Sequence, residues 1–208
     1  MARLSREDRR RLAELHGECL PGSRVARLGR AYMRVFYGYV DRSPLEELFV
    51  TRQGGRIASA CVLSLRPATL SRRLALHTPL LLWAPVALFR LPILPRILGA
   101  FRRREARTAG PPREGLPEIL LVFTAPEARG RGAASALLAR CESSLAQRGH
   151  RRYTVRTEDR EENRALGFYA RNGFVDQGRT LENGEPFRIL VKTIGGPPAG
   201  AGSQPVPC

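Results

Sequence analysis

The chain has 208 residues, enough for one well-buried domain and short for two. Its 35 Lys+Arg against 19 Asp+Glu leave a formal charge of +16, while an apolar share of 43% is ordinary for a globular protein. The charge is nearly all arginine and is spread along the sequence, densest at residues 9–11 and 102–104, with no aromatic interleaving. That pattern disfavours a nucleic-acid surface and leaves attraction for anionic ligands open.

Cys19, Cys61, Cys141 and Cys208 form no C-x-x-C pair, and the first three fall among apolar residues. They read as core thiols of a reducing compartment. His16, His77 and His150 stand apart, so no metal is expected. The N-terminus turns charged at once, with no secretory apolar region. The expectation is a cytoplasmic protein, monomeric or homodimeric, with contact at a membrane surface left open.

In chain order, Ser5 with Asp8 resembles a capping box opening a helix whose stripe is Leu12, Leu15, His16 and Cys19. Pro21-Gly22 ends it, and a second helix carries Val25, Leu28, Tyr32, Val35, Phe36 and Tyr39 on one face. Residues 48–51 and 57–65 read as a hairpin around Gly54-Gly55. Residues 74–101 are apolar, yet their longest uncharged run, 74–89, is 16 residues, below the roughly 20 of a membrane-spanning helix. Pro79, Pro85, Pro92 and Pro95 divide the stretch into what reads as two short helices. It is expected to act as a lid on the sheet, a dimer contact or, with residues 102–104, a peripheral membrane surface. Residues 108–116 follow as a mobile connector.

Residues 118–124 are the next strand, and Arg129-Gly130-Arg131-Gly132 then opens a helix over 133–148 with Leu137, Leu138, Cys141 and Leu145 inward. A strand that enters a helix through glycines makes an anion cradle from free backbone N–H groups and the positive helix end. A Walker loop would need a lysine before Ser or Thr, and the single lysine is Lys192. A dinucleotide loop would need G-x-G-x-x-G and one acid about 20 residues on, also missing. Tyr153 and Val155 mark another strand, and a helix follows with Ala165 and Tyr169 on one face and Phe168 turned to the core. Gly173 caps that helix, strands at 174–178 and 187–194 flank Asn183-Gly184, and the tail 196–208 is too poor in apolar residues to fold.

Arg129-x-x-Gly132-x-Ala134 resembles the acyl-CoA signature of the GCN5-related N-acetyltransferases (GNAT). The stretch from Asn163 through Ala165, Phe168 and Tyr169 to Gly173-Phe174, about thirty residues on, is similar to the same family's second signature. The resemblance covers most of residues 120–178 and, more loosely, 5–65. It implies an α/β (α+β) fold: a mixed, mostly antiparallel sheet flanked by helices, with splayed central strands. One such domain would occupy residues 1–195, with 66–112 as insertion and connector. The family's usual first strand has only residues 1–4 to form from, so it is short or absent here.

The resemblance further implies acetyl-CoA as acyl donor and direct transfer to a primary amine: a small molecule, an amino sugar or a protein N-terminus. Pantetheine would lie against Val122, Phe123 and Thr124, and the diphosphate against Arg129, Gly130, Arg131, Gly132, Ala133, Ala134 and Ser135. A backbone N–H near Phe123 would serve the oxyanion, and Tyr169 would be the general acid. Glu118 is the candidate base, with Glu158 and Asp159 as alternatives. Asn163 is a further coenzyme contact, although it lies two residues before Ala165 where the family's Asn lies three before. Two other readings stay open: a non-catalytic acyl-CoA sensor, and a basic nucleic-acid or membrane-surface binder that keeps the fold as scaffold.

Overall fold

The computed structural model describes residues 3–77, 115–182 and 184–195. In chain order these form α1 (Arg6–Cys19), α2 (Arg24–Arg27), α3 (Arg30–Val40), β1 (Glu46–Gln53), β2 (Arg56–Ser64), α4 (Pro67–His77), β3 (Glu118–Thr124), α5 (Ala133–Gln147), β4 (Arg152–Glu158), α6 (Arg164–Arg171), β5 (Val175–Glu182) and β6 (Glu185–Thr193). One six-stranded sheet runs β1-β2-β3-β4-β6-β5. Every neighbouring pair is antiparallel except β3 and β4.

The sheet buries both faces. On one, Leu12 and Leu15 of α1 and Phe36, Tyr37 and Val40 of α3 pack on Ala60, Val62 and Phe123. On the other, Leu137, Leu138, Cys141 and Leu145 of α5 and Tyr169 of α6 pack on Cys61, Leu63, Ile119 and Val155. Both layers follow from sequence period: apolar residues three and four apart on the helices, alternating on the strands. The capping box at Ser5 and Asp8 is formed, the Asp8 amide donating to Ser5 Oγ at 3.0 Å.

Among the described residues no strand precedes α1, in line with the expectation that it is short or absent. Two expectations are corrected. The single second helix is two: Gly29, at φ 90°, breaks the chain between α2 and α3, and Leu28 is exposed rather than in a stripe. The buried face of α3 keeps the expected Phe36 and Tyr39 and adds Met33, Tyr37 and Val40. Second, residues 74–77 end a helix that begins at Pro67 instead of starting one. Residues 78–101 of the apolar stretch, 108–114 of the connector, Asn183 of the last turn and the tail 196–208 lie outside the described residues.

Helix α4 is rooted by a buried charge pair. Glu46, 3% exposed, receives both Arg73 Nη2 at 2.8 Å and Nη1 at 2.9 Å, and Ser64 Oγ donates to it at 3.0 Å. A carboxylate so placed depends on its partner, because removing either charge leaves the other buried and uncompensated.

Candidate functional site

The site begins where two strands part. β3 and β4 pair only at Glu118↔Thr154 and Ile119↔Val155. On its other edge β3 follows β2, but the register steps from Leu63↔Ile119 to Val62↔Leu121 and leaves Leu120 as a bulge. A bulge bends its strand and increases local twist. Past it, residues 120–124 run beside β4 without pairing to it.

Backbone direction in that open stretch follows from one bond. The Ala125 amide donates to the Ala58 carbonyl at 2.8 Å, and antiparallel strands alternate between bonded and non-bonded pairs. The unbroken register from Leu121 onward therefore turns Phe123 towards Ala60 on β2. Val122 and Thr124 turn their N–H and C=O the other way, into the gap. The Phe123 N–H, expected to serve an oxyanion, thus faces β2 and not the gap, while the Phe123 ring is buried against His16 at 5.8 Å between centroids. The Thr124 carbonyl accepts from Arg129 Nε at 3.2 Å and Cys19 Sγ at 3.5 Å. Its hydroxyl is buried and has no hydrogen-bond partner among the described residues.

A short 3-10 turn, Pro126–Ala128, leads from β3 to residues 129–132. Gly130 (φ 75°) and Gly132 (φ 74°) both take the left-handed region, and a β-carbon on either would meet nothing within 4 Å. Gly132 is the N-cap of α5 and supplies no side-chain acceptor, so the first-turn amides of Ala133, Ala134 and Ser135 have no side-chain cap. Arg131 is exposed, whereas Arg129 folds back on Thr124.

Tyr169 is 6% exposed, edge-on to Phe168 at 5.2 Å and Phe174 at 5.1 Å. Burial pushes its phenol well above the usual tyrosine range, with the nearby Cys61 thiol adding to the effect. Cys61 is the cross-strand partner of Val122, which sets Tyr169 beside the open stretch of β3. Among the described residues its hydroxyl has no hydrogen-bond partner. Phe168, expected to be the core-facing ring, is the less buried of the two.

Asn163 is committed elsewhere. It is the N-cap of α6: Oδ1 accepts from the Ala165 amide at 3.0 Å, and Nδ2 donates to Thr157 Oγ1 at 2.8 Å and to the Glu158 carbonyl. These bonds tie the helix to the end of β4 and employ both ends of the amide. Its displacement from the family's spacing has this physical counterpart. Asn163→Ala is expected to lower unfolding free energy by about 1 kcal/mol, as loss of a cap does, with coenzyme affinity unchanged in a titration.

The three candidate bases are all paired. Glu118, 7% exposed, holds Arg156 by two bonds of 2.7 and 3.0 Å. Tyr153 and Val155 share Tyr169's face, so by alternation Arg156 and Glu118 lie on the opposite one. Glu158 pairs with Arg160 at 3.5 Å, and Asp159 with Arg179 at 2.6 Å and Arg188 at 2.7 Å. Among the described residues no cluster of His, Cys, Asp or Glu could hold a metal ion, and no helix is long and apolar enough to cross a membrane.

Beneath Phe123 lies a network that no sequence spacing announces. His16, fully buried, has Tyr37 Oη 2.8 Å from Nδ1 and Ser23 Oγ 2.6 Å from Nε2. Ser23 also caps α2, so the ring fixes the α1–α2 turn beside β3. Burial lowers the imidazole from 6.5 to about 4. The native ring stays neutral while the unfolded one protonates, so stability is complete above pH 6.5 and falls as pH drops towards 4. The loss is expected to be roughly 3 kcal/mol, seen as a fall in Tm between pH 7 and 5 that a His16→Gln variant lacks.

Residues 96–176 match the acetyltransferase (GNAT) domain model. A protein from Desulfovibrio desulfuricans assigned to the GNAT acetyltransferases superposes with a TM-score of 0.59 at 13% identity, over 93% of this chain and 96% of its own. The ribosomal-protein-S18-alanine N-acetyltransferase of Escherichia coli gives 0.55 at 10% identity over 97% of each chain. A Corynebacterium glutamicum protein described as histone acetyltransferase HPA2 and related acetyltransferase gives 0.56 at 18%, over 94% and 96%. At these identities the likeness is one of fold. No curated protein matches the sequence significantly.

Proposed function

We propose, from the acetyltransferase (GNAT) domain match over residues 96–176 and the fold shared with GNAT acetyltransferases, that the chain transfers an acetyl group from acetyl-CoA to a primary amine. The observation that carries this reading is the parting of β3 and β4 beside an uncapped, glycine-entered helix start. Pantetheine lies in that gap as an added strand on the main chain of Val122 and Thr124. The orphan Thr124 hydroxyl is a further polar partner there. The diphosphate rests on the amides of residues 130–135, with Gly130 and Gly132 leaving room for close approach and Arg131 adding charge.

In the reaction the amine lone pair attacks the thioester carbon, the carbonyl becomes an oxyanion, and the C–S bond breaks as the oxygen regains its double bond. An N–H facing the gap, at Val122 or Thr124, stabilises the oxyanion. Tyr169 donates its phenolic proton to the departing sulfur; its raised pKa means that the phenol still holds that proton when the C–S bond breaks, and the phenolate left behind is reprotonated from solvent. Glu118 lies on the sheet face opposite Tyr169, the side from which the amine approaches. Both its oxygens bond Arg156, so it takes the amine's proton only by giving up one of those bonds. Holding both reactants in one groove carries much of the acceleration. Thiol release from acetyl-CoA across a panel of amines tests the reading: turnover with at least one primary amine supports it, and binding without turnover on any would favour a sensor.

A further inference from the structure

The arginines that look scattered in sequence gather in space. A groove of about 1040 Å³ lies between the N-terminal half of α1, the face of α3 and the β1–β2 turn, and eight arginines line it against three acids. Three of the eight are neutralised: Arg10 by Glu14 at 2.9 Å, Arg52 by Asp8 at 2.8 Å, and Arg11 by Glu127 at 3.6 Å. Arg6, Arg9, Arg34, Arg42 and Arg56 make no ion pair among the described residues, and the single lining acid left to oppose them is Glu7.

The arrangement is two-walled. Arg6 and Arg9 stand one turn apart on α1. Arg34 and, just past the end of α3, Arg42 stand opposite, with Gly38 between them. Gly38 leaves space that the Arg9 guanidinium occupies, 3.4 Å from where a β-carbon would be. Gathering like charges is unfavourable without an anion to answer them. The groove then continues along α1 and α3: a second cavity of about 520 Å³ shares Glu14 with the first and reaches Pro21 and Ala26 at the α1–α2 turn. There the positive excess ends: Glu14 is paired with Arg10, and Glu18 stands against Arg30. At that end Cys19 meets the Thr124 carbonyl, at the mouth of the parted strands.

We propose that the α1–α3 groove docks an acidic polypeptide segment, and that the segment belongs to the acceptor, whose amine end lies towards Glu18 and the α1–α2 turn, where the positive excess ends. Guanidinium forks match carboxylates in geometry. Among the described residues no aromatic ring but that of His77 lines the arginine-rich part, so they supply no stacking platform of the kind single-stranded nucleic-acid sites use. The groove is concave, and a lipid surface would not reach its floor at Val35 and Ile57. The docking stands on the groove alone; its assignment to the acceptor rests on the acetyl-transfer reading.

The test is fluorescence anisotropy with a ten-residue peptide, free at its N-terminus, with Glu at alternate positions and a dye at its C-terminus. Its competitors are an uncharged peptide of equal length, a single-stranded RNA and phosphatidylserine vesicles. Two charge-reversal pairs, Arg6→Glu with Arg9→Glu and Arg34→Glu with Arg42→Glu, remove one wall each. The expected result is saturable, salt-sensitive binding of the acidic peptide, weakened about tenfold or more by either pair, with coenzyme affinity and Tm retained in at least one. Equal binding of the uncharged peptide, wild-type binding by both folded variants, or displacement of the acidic peptide by RNA or vesicles would overturn the docking. Transfer to the acidic peptide with a KM that rises in the variants at constant kcat supports its role as acceptor; docking without acetylation removes that role. A failure to bind acetyl-CoA would remove the acetyl-transfer reading and leave the docking result intact.

Discussion

A Tyr169→Phe enzyme is expected to lose about 10²-fold or more in kcat, the contribution of a positioned general acid, while its Kd for acetyl-CoA stays within about twofold. The substitution removes one oxygen from a ring held by Phe168 and Phe174. Because that hydroxyl has no partner among the described residues, its loss orphans nothing they contribute, and stability should hold or rise slightly. The split between rate and affinity is the informative part. A tyrosine serving only as core would change neither, and one that merely shaped the coenzyme groove would change Kd first. Rapid-quench measurement of the transfer step, alongside a binding titration, separates the three.

The second large effect is expected from Gly132→Val. Gly132 sits at φ 74° and ψ 1°, a conformation in which a β-branched residue is a steric outlier costing on the order of 1–3 kcal/mol. The turn at residues 129–132 would relax away from that shape, and the Val side chain would also stand in the space that the glycine leaves open. Coenzyme affinity should fall between about tenfold and 100-fold, at 1.4 kcal/mol per tenfold. Helix α5 remains held by Leu137, Leu138, Cys141 and Leu145, so circular dichroism should show an intact fold. An affinity equal to wild type in that folded variant would mean that the turn does not grip the ligand.

How much of this was legible in the sequence depends on the range of the interaction concerned. β3 is an apolar run, Ile119–Phe123, and α5 follows it with a period-3.6 stripe closed by Gly149; both are local signals, and both elements lie where they were expected. The capping box at Ser5 is equally local. The division of α2 from α3 was missed because a glycine within an apolar stripe reads as a tolerated defect, and only its φ of 90° at position 29 shows a break. The bulge at Leu120 is set by pairing with β2, so the sequence could not say that Val122 and Thr124, rather than Phe123, face the gap.

Charge pairs were the least legible. Glu46 and Arg73 are 27 positions apart, and Glu118 and Arg156 are 38 apart. Nothing in either segment marks its partner. The same holds for His16, whose neighbours Ser23 and Tyr37 reach it from α2 and α3. Arginines from α1, α3 and the β1–β2 turn read singly as solvated surface, and only the fold brings them to one groove.

Isothermal titration of the intact, folded chain with acetyl-CoA, and separately with free CoA, tests the central claim most directly. Saturable binding of both at one site per chain, lost together in Gly132→Val and kept in Tyr169→Phe, is the result expected from a diphosphate seated on the turn at residues 129–135. Absence of any heat or competition from either ligand, with the native fold confirmed in the same sample, would contradict it.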